Sequence, residues 1–331
     1  MRAVKGVTAI IPNWNGRALL GRLLESLRRQ TVPCTEVVVV DNGSEDGSQK
    51  EAVAWGARVI ELGGNSGFSR AVNVGVQAST GSWVAVLNND VELAEDWLER
   101  MLEAGREREA WFLTGKLLEW SRRDALDGTF DVLCRGGCAW RVGQRRKDGP
   151  EWNARRPIAF APLTAALLRR ELFERVGGLD ETFESFMEDV EFGLRCALAG
   201  HRGLYVPEAV AYHVGGATRG QWHPETVRRV ARNQLLLVAK HYPSGFLCRQ
   251  AWRVLVAQVL WGLVALRHGA AGAYVRGKLE GLRKFGSLRA QAARNDGTLL
   301  GTILAESESQ LRAVQQRTGA DLYWRLYFAL T

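Results

Sequence analysis

The first hundred residues alternate two hydrophobic periods, and no other feature of the chain restricts its fold as strongly. Val4 to Ile11 is a continuous apolar run of strand length, Leu19, Leu20, Leu23, Leu24 and Leu27 recur at helical spacing, and Val37 to Val40 resumes the strand pattern. Arg58 to Leu62 predicts a third strand, Phe68 to Ala78 a helix, Trp83 to Leu87 a fourth strand, Leu93 to Ala104 a helix, and Trp111 to Leu117 a fifth strand. Strands that are apolar on both faces and separated by helices form a parallel sheet covered on each side. Ligands of such sheets bind beyond the carboxyl ends of the strands. The expected class is α/β, a mostly parallel sheet flanked by helices.

Residues 119–157 interrupt the alternation; rich in Arg, Gly and Asp, they predict an irregular insertion of the kind that covers a site. Helices are predicted over Arg170 to Val176 and from about Val190 to Ala199, with short strands near Leu204 and Val210. Long helical patterns fill 225–290, and the last forty residues are helical but weakly patterned. The expected division is an α/β domain over 1–240 and a helical extension over 241–331.

At 46% hydrophobic and 24% charged residues, with 8 prolines in 331, the chain is not a disordered one. Its net charge of +8 suits nucleic acid, an anionic membrane or a phosphate-bearing ligand alike. With scattered arginines and no helix-turn-helix, zinc finger or aromatic sheet motif, nucleic acid is not an expected partner. Five cysteines, no C-x-x-C and a start that runs straight into a strand predict a reducing cytoplasm. Cys134 and Cys138 have no second pair beside them to complete four zinc ligands.

The predicted strands end in polar turns: Pro12-Asn13-Trp14-Asn15-Gly16, Asp41-Asn42-Gly43-Ser44, Gly63-Gly64-Asn65-Ser66-Gly67-Phe68 and Asn88-Asn89-Asp90. Each alone is ordinary turn chemistry. Together on one sheet edge they point to a ligand. Asp41 and Asp90 suit a ribose, a base edge or a divalent cation. The first turn lacks G-x-G-x-x-G, so an NAD(P)-dependent oxidoreductase using Asp41 on the ribose stands only as the alternative.

Ile10 to Gly16, Val38 to Ser48, Gly64 to Phe68, Leu87 to Asp90 and Phe186-Met187-Glu188-Asp189-Val190-Glu191-Phe192, in this order, resemble the signature of the inverting family-2 glycosyltransferases of GT-A fold. The resemblance runs from residue 5 to about 240 and is closest to the bacterial rhamnosyltransferase-like branch of cell-wall and surface-polysaccharide assembly. It implies that Pro12, Trp14 and Asn15 line the base and ribose pocket, and that Asp41 accepts a hydrogen bond from the imide N–H of uracil or thymine. It implies that Asn65, Gly67 and Asn73 shape the wall of the nucleotide cleft. Asn88-Asn89-Asp90 takes the place of the family's D-x-D motif, which puts Asn89 and Asp90 on the nucleotide sugar and Asp90 first on Mg²⁺ or Mn²⁺. His213 falls where relatives carry a histidine near metal and diphosphate.

Asp189 is the implied base, with Glu188 beside it. Both open a predicted helix, where the macrodipole favours the charged carboxylate, and the aromatic run from Phe183 to Phe186 walls them from water. The implied donor is a dTDP- or UDP-linked sugar, rhamnose by analogy. The implied acceptor is a polyprenyl diphosphate or a glycan, walled by the Arg-rich insertion and Pro162 to Ala166. A non-catalytic nucleotide-sugar binder is the remaining reading, disfavoured by intact Asp41, Asp90 and Asp189.

From Trp252 to Leu266 runs an apolar stretch of about fifteen residues, too short to span a bilayer and flanked by Arg249, Arg267, Arg276, Lys278, Arg283, Lys284 and Arg289. It predicts either attachment to an anionic membrane surface or packing on the catalytic domain. The expected location is the cytoplasm, peripheral on the inner face of the cell membrane. The apolar tail residues Leu322 to Phe328 predict either a homo-oligomer contact or docking on their own domain.

Overall fold

The computed structural model describes residues 6–215, 222–290 and 297–331; Val4, Lys5 and Gly216, on which parts of the sequence reading fall, lie outside them. The elements follow in order as β1 (Val7–Asn13), α1 (Arg17–Arg28), β2 (Glu36–Asp41), α2 (Ser48–Trp55), β3 (Arg58–Glu61), α3 (Phe68–Ala78), β4 (Trp83–Leu87), β5 (Val91–Leu93) and α4 (Trp97–Glu107). There follow β6 (Phe112–Glu119), β7 (Leu126–Gly128), β8 (Asp131–Leu133), β9 (Ala139–Arg141), β10 (Arg156–Ile158), β11 (Ala165–Arg169), α5 (Arg170–Val176), α6 (Glu188–Leu198) and β12 (Gly203–His213). The helices α7 (Pro224–His241), α8 (Ser244–Arg267), α9 (Ala271–Arg289), α10 (Thr298–Thr318) and α11 (Leu322–Leu330) complete the chain.

The chain divides into two compact units. The first, through Phe130 and again over Gly143–Gly215, holds the sheet, in the order β10-β12-β6-β11-β4-β1-β2-β3, with β5 on β12 and β7 on β6. Strands β4, β1, β2 and β3 are parallel neighbours, as are β6 and β12. The short apolar run of β11, which the sequence reading did not isolate, lies antiparallel between β4 and β6. The two strands expected near Leu204 and Val210 are one, β12, with a register shift between Val206 and Val210. Pro207, which has no N–H to donate to a ladder, lies within that shift.

Helix α1 forms because Leu20, Leu23, Leu24 and Leu27 lie on one face, and all four are buried. Full burial of a leucine contributes about 2 kcal/mol, so this stripe is a main part of what holds α1 in place. The insertion expected to be irregular instead supplies β7 and β10 to the sheet, while its middle, Asp131–Val142, belongs to the second unit as the β8–β9 hairpin.

The second unit comprises that hairpin and the residues after Gly215. The expected boundary at 240 and 241 falls at the end of α7, inside this unit. Helix α9 approaches α7 closely because Gly277 and Gly281 carry no side chain: a Cβ on Gly277 would lie 2.1 Å from the carbonyl oxygen of Arg228. The tail docks within the unit, burying Trp324 and Tyr327, with the Tyr327 hydroxyl donating to Glu308 Oε1 at 2.8 Å.

Candidate active site

Four βα turns meet along the carboxyl edge of β1 to β4. Asn13, the last residue of β1 and 1% exposed, ties them together. Its amide Nδ2 donates to Asp41 Oδ1 at 3.1 Å, to Ser44 Oγ at 3.2 Å and to Ser48 Oγ at 2.8 Å. Its Oδ1 accepts from Asn89 Nδ2 at 2.8 Å. A Cβ at Gly16 would lie 2.1 Å from that same Asn89 nitrogen, which accounts for glycine there. Asn15, exposed at φ 47°, joins the first turn to the second: its N–H donates to Ser44 Oγ at 2.9 Å, and its Oδ1 accepts from the Glu45 N–H at 2.8 Å. Asn42 Oδ1 accepts from the N–H and hydroxyl of Ser66, binding the second turn to the third.

The Asp41 carboxylate, expected to read a pyrimidine imide, is fully buried and held by its own turn. Besides Asn13 it accepts from Ser44 Oγ at 2.6 Å, the N–H groups of Ser44 and Gly43 at 2.8 and 3.1 Å, and Gln49 Nε2 at 3.1 Å. A carboxylate offers about four lone-pair directions, and five donors saturate them. The physical reason is local: the tight Asp-Asn-Gly-Ser turn aims its backbone N–H groups back at the first side chain. Pro12 is buried within β1, opposite Val40, whereas Trp14 is half-buried on the rim.

The N-terminus of α1 is also taken. Asp46 Oδ2 accepts from the Arg17 N–H at 2.8 Å, so a carboxylate stands where a dinucleotide fold holds pyrophosphate.

The edge continues to Asp90, which β5 and β12 place beside His213: Asp90 Oδ1 lies 3.2 Å from His213 Nε2, both side chains 11% exposed. On the other ring nitrogen, Nδ1, Asp127 Oδ2 sits at 3.0 Å. Burial alone would push the imidazole towards neutrality, but the hydrogen bonds to Asp127 and Asp90, and their charges, lift its pKa from 6.5 to about 9. Such a pocket is built for positive charge. Sequence reasoning missed Asp127; it lies in the segment expected to be irregular, and only the pairing of β7 on β6 carries it to the site.

A divalent cation fits the donor set present. Asp90 and His213 offer one carboxylate oxygen and one ring nitrogen 3.2 Å apart, close to the roughly 3 Å between adjacent ligands of a small octahedral ion with bonds of about 2.1 Å. Asp127 on the far nitrogen is the carboxylate partner that metal-bound histidines usually have. Among the described residues no group of three His, Cys, Asp or Glu can hold a metal ion, so the remaining positions fall to phosphate oxygens and water.

The other expected residues form a second cluster. Asn65 Oδ1 accepts from the Gly67 N–H at 3.1 Å. Gly67, at φ 89° and ψ 169°, sits against the backbone of Glu184. Ser69 donates to the Glu184 carbonyl through its N–H at 3.0 Å and its hydroxyl at 3.2 Å, and the Phe68 N–H donates to Ser185 Oγ at 3.3 Å. The start of α3 thereby grips the segment leading into α6, where Glu184, Phe186 and Met187 all have positive φ. Three non-glycine residues in the left-handed region within four positions amount to stored strain, a feature that gathers at functional sites. At the end of that segment Glu188 is buried and Asp189 is half-buried, with Asp189 Oδ1 accepting from the Val190 N–H at 2.8 Å.

Asn73, expected in the wall of the nucleotide cleft, donates to the Leu179 carbonyl at 2.9 Å and accepts from the Leu179 N–H at 2.7 Å, strapping the chain that leads to α6. Ala165 and Ala166, expected in the acceptor wall, are fully buried inside β11 against Leu87 and Val86.

A mostly parallel sheet with carboxamides and carboxylates gathered on its turn rim, and an acid–histidine pair at its edge, defines a GT-A type α/β protein. The glycosyl transferase family 2 model matches residues 8–177, over half of the chain, and the chain belongs to that family. The match ends before Glu188 and Asp189. The chain is 28% identical over 276 residues to an N-acetylglucosaminyl-diphospho-decaprenol L-rhamnosyltransferase of Mycobacterium tuberculosis, covering 75% of this chain and 87% of that protein. It is 29% identical over 240 residues to an O-antigen biosynthesis protein of Myxococcus xanthus, covering 66% of this chain but 18% of that longer protein. Among solved structures, GalNAc-T7 with UDP, GalNAc and Mn²⁺ superposes with a TM-score of 0.62 at 15% identity, over 93% of this chain and 58% of that one. The mannosyltransferase of Pyrobaculum calidifontis with GDP-Man and Mn²⁺ superposes with a TM-score of 0.53 at 17% identity, over 99% and 87%. At these identities the two structures show the fold alone.

Proposed function

We propose that this family-2 glycosyltransferase moves a sugar, rhamnose as the favoured one, from a dTDP- or UDP-linked donor to a hydroxyl of a polyprenyl-diphosphate-linked glycan, with inversion in one displacement. The observation that carries the reading is the Asp90–His213–Asp127 array at the end of the turn rim. Rhamnose and the lipid-linked acceptor are taken from the mycobacterial relative, most of whose length this chain covers. That acceptor puts the reaction at the inner face of the cell membrane.

Asp90 and His213 would hold Mg²⁺ or Mn²⁺, which when bound supplies Lewis-acid neutralisation of charge on the departing diphosphate. Asp127 fixes the ring of His213 through Nδ1. With Asp41 committed to its turn, recognition of the base falls to Trp14 and the turn residues around it, including Asn15, Asn65 and Asn89.

Asp189 is the proposed base that takes the proton of the acceptor hydroxyl. Its carboxylate stands at the N-terminus of α6, where the helix dipole and the Val190 N–H favour the charged form a base needs. Glu188, buried beside it, helps to exclude water. The strained segment from Glu184 to Met187 sets the position of both.

The test replaces Asp189 by Asn. Loss of a general base lowers turnover by about 10² to 10⁴, while thermal stabilisation by the nucleotide is retained. Transfer at the wild-type rate would show that another group is the base. A stability panel of dTDP, UDP, GDP and NAD, with and without Mn²⁺, selects the nucleotide, because a ligand that binds only the folded state stabilises it in step with its affinity. Stabilisation by NAD alone would overturn the reading.

A further inference from the structure

The second unit carries a surface that none of this chemistry uses. Of the fourteen large apolar side chains exposed among the described residues, twelve lie on α8 to α11. Five of them, Trp252, Leu255, Val259, Leu263 and Leu266, are each more than half exposed and recur at steps of three and four along α8. That is one continuous stripe on one face of a helix, over four turns long. Val275, Leu279 and Leu282 repeat the spacing on α9.

Contacts join these helices within the unit. The Tyr274 ring of α9 packs against Gly262 of α8, and its hydroxyl donates to the Gln258 carbonyl at 2.7 Å. Trp252 Nε1 donates to the Leu330 carbonyl of α11 at 2.8 Å, so the apolar end of α11 adjoins the start of the stripe.

The charge around the stripe is of one sign. Helices α8, α9 and α11 together contain nine Lys or Arg and one acid, Glu280. That acid is paired with Arg228. Arg267, Arg276, Arg283 and Lys284 are exposed. A second copy docking through this face would oppose cation to cation, whereas an anionic lipid surface complements both the apolar stripe and its basic flanks. None of the described helices is long and apolar enough to cross a membrane.

We propose that the exposed faces of α8, α9 and α11 form an interfacial membrane-binding surface selective for anionic phospholipid. Trp252 and the α8 leucines enter the headgroup and acyl boundary, with the arginines at phosphate level. The inference rests on this surface and not on the sugar-transfer reading, so either can fail without the other.

The experiment is flotation of the full chain with phosphatidylcholine vesicles containing a third phosphatidylglycerol, beside pure phosphatidylcholine. The chain floats with the anionic vesicles and at least tenfold less with the neutral ones. Leu255→Glu with Leu263→Glu abolishes flotation; both sites are over half exposed, so the fold survives, and an unchanged helical circular-dichroism signal and thermal unfolding transition verify it. Arg267→Gln, Arg276→Gln and Arg283→Gln each reduce partition by about fivefold, the weight of one basic residue near such a surface. Wild-type chain that stays at the bottom of the gradient, floats equally with both vesicles, or forms a dimer that Leu255→Glu dissociates overturns the proposal.

Discussion

Oδ2 of Asp127 lies 3.0 Å from Nδ1 of His213 and leaves Nε2 to face Asp90. In the proposed metal site Asp127 would fix which nitrogen is offered to a cation, and it comes from a strand of three residues, β7. Replacing Asp127 by Asn keeps the shape but removes the charge behind the ring. Loss of such a partner weakens a metal site by about 10- to 100-fold. Titration of Mn²⁺ into the protein with nucleotide, followed by electron paramagnetic resonance, measures it; nucleotide binding without metal stays unchanged. Equal Mn²⁺ affinity in the variant would remove Asp127 from the site.

Asn13 carries more of the rim than any residue named for catalysis. Asn13→Ala strips a donor from the buried carboxylate of Asp41 and the acceptor from Asn89. Leaving buried polar groups without partners costs about 1 to 3 kcal/mol. Denaturant unfolding reads the loss of stability, and nucleotide affinity falls with it because Asn89 is no longer held.

At Gly67, φ 89° with ψ 169° is a conformation nearly closed to other residues. A Cβ there would also lie 3.1 Å from the Glu184 carbonyl oxygen. Gly67→Ala is expected to cost about 1 to 3 kcal/mol and to displace the segment ahead of Asp189. Turnover therefore falls more than nucleotide affinity does. A variant with unaltered kcat would separate this contact from the positioning of α6.

The second unit has its own pH signature. The hydrogen bond from Arg228, opposed by partial burial and aided by Arg229, brings the Glu225 pKa from 4.5 down to about 2. A depressed carboxylate stabilises the fold above its unfolded pKa, and that contribution disappears as pH falls through the folded value. Glu225→Gln should destabilise by on the order of 1 to 2 kcal/mol at pH 7, allowing for solvent screening. The gap to wild type closes between pH 4.5 and about 2. Thermal unfolding across that range tests it; a gap that persists at the acid end would mean packing, not charge, is what the variant loses.

Strands β1 to β4 and the helices α1 and α3 were legible because their apolar residues recur at periods that sequence alone displays. The polar turns ending those strands announced a ligand edge for the same reason, since a parallel sheet presents its strand ends together. α2 was missed because it spans only eight residues and its apolar positions are few. β11 was missed because a buried run of five residues is not distinguishable by period.

The sequence by itself determined that this chain builds a parallel α/β sheet with an acidic, carboxamide-rich rim: strand and helix periods, and the residues tolerated in turns, are local properties. The tertiary structure alone decided that Asp41 locks a turn, that Asn73 straps the approach to α6, and that Asp127 stands behind His213. Each depends on which groups converge on a side chain from 28 to 106 residues away or from its own folded turn. Pairing in space sets that convergence, and no local pattern records it.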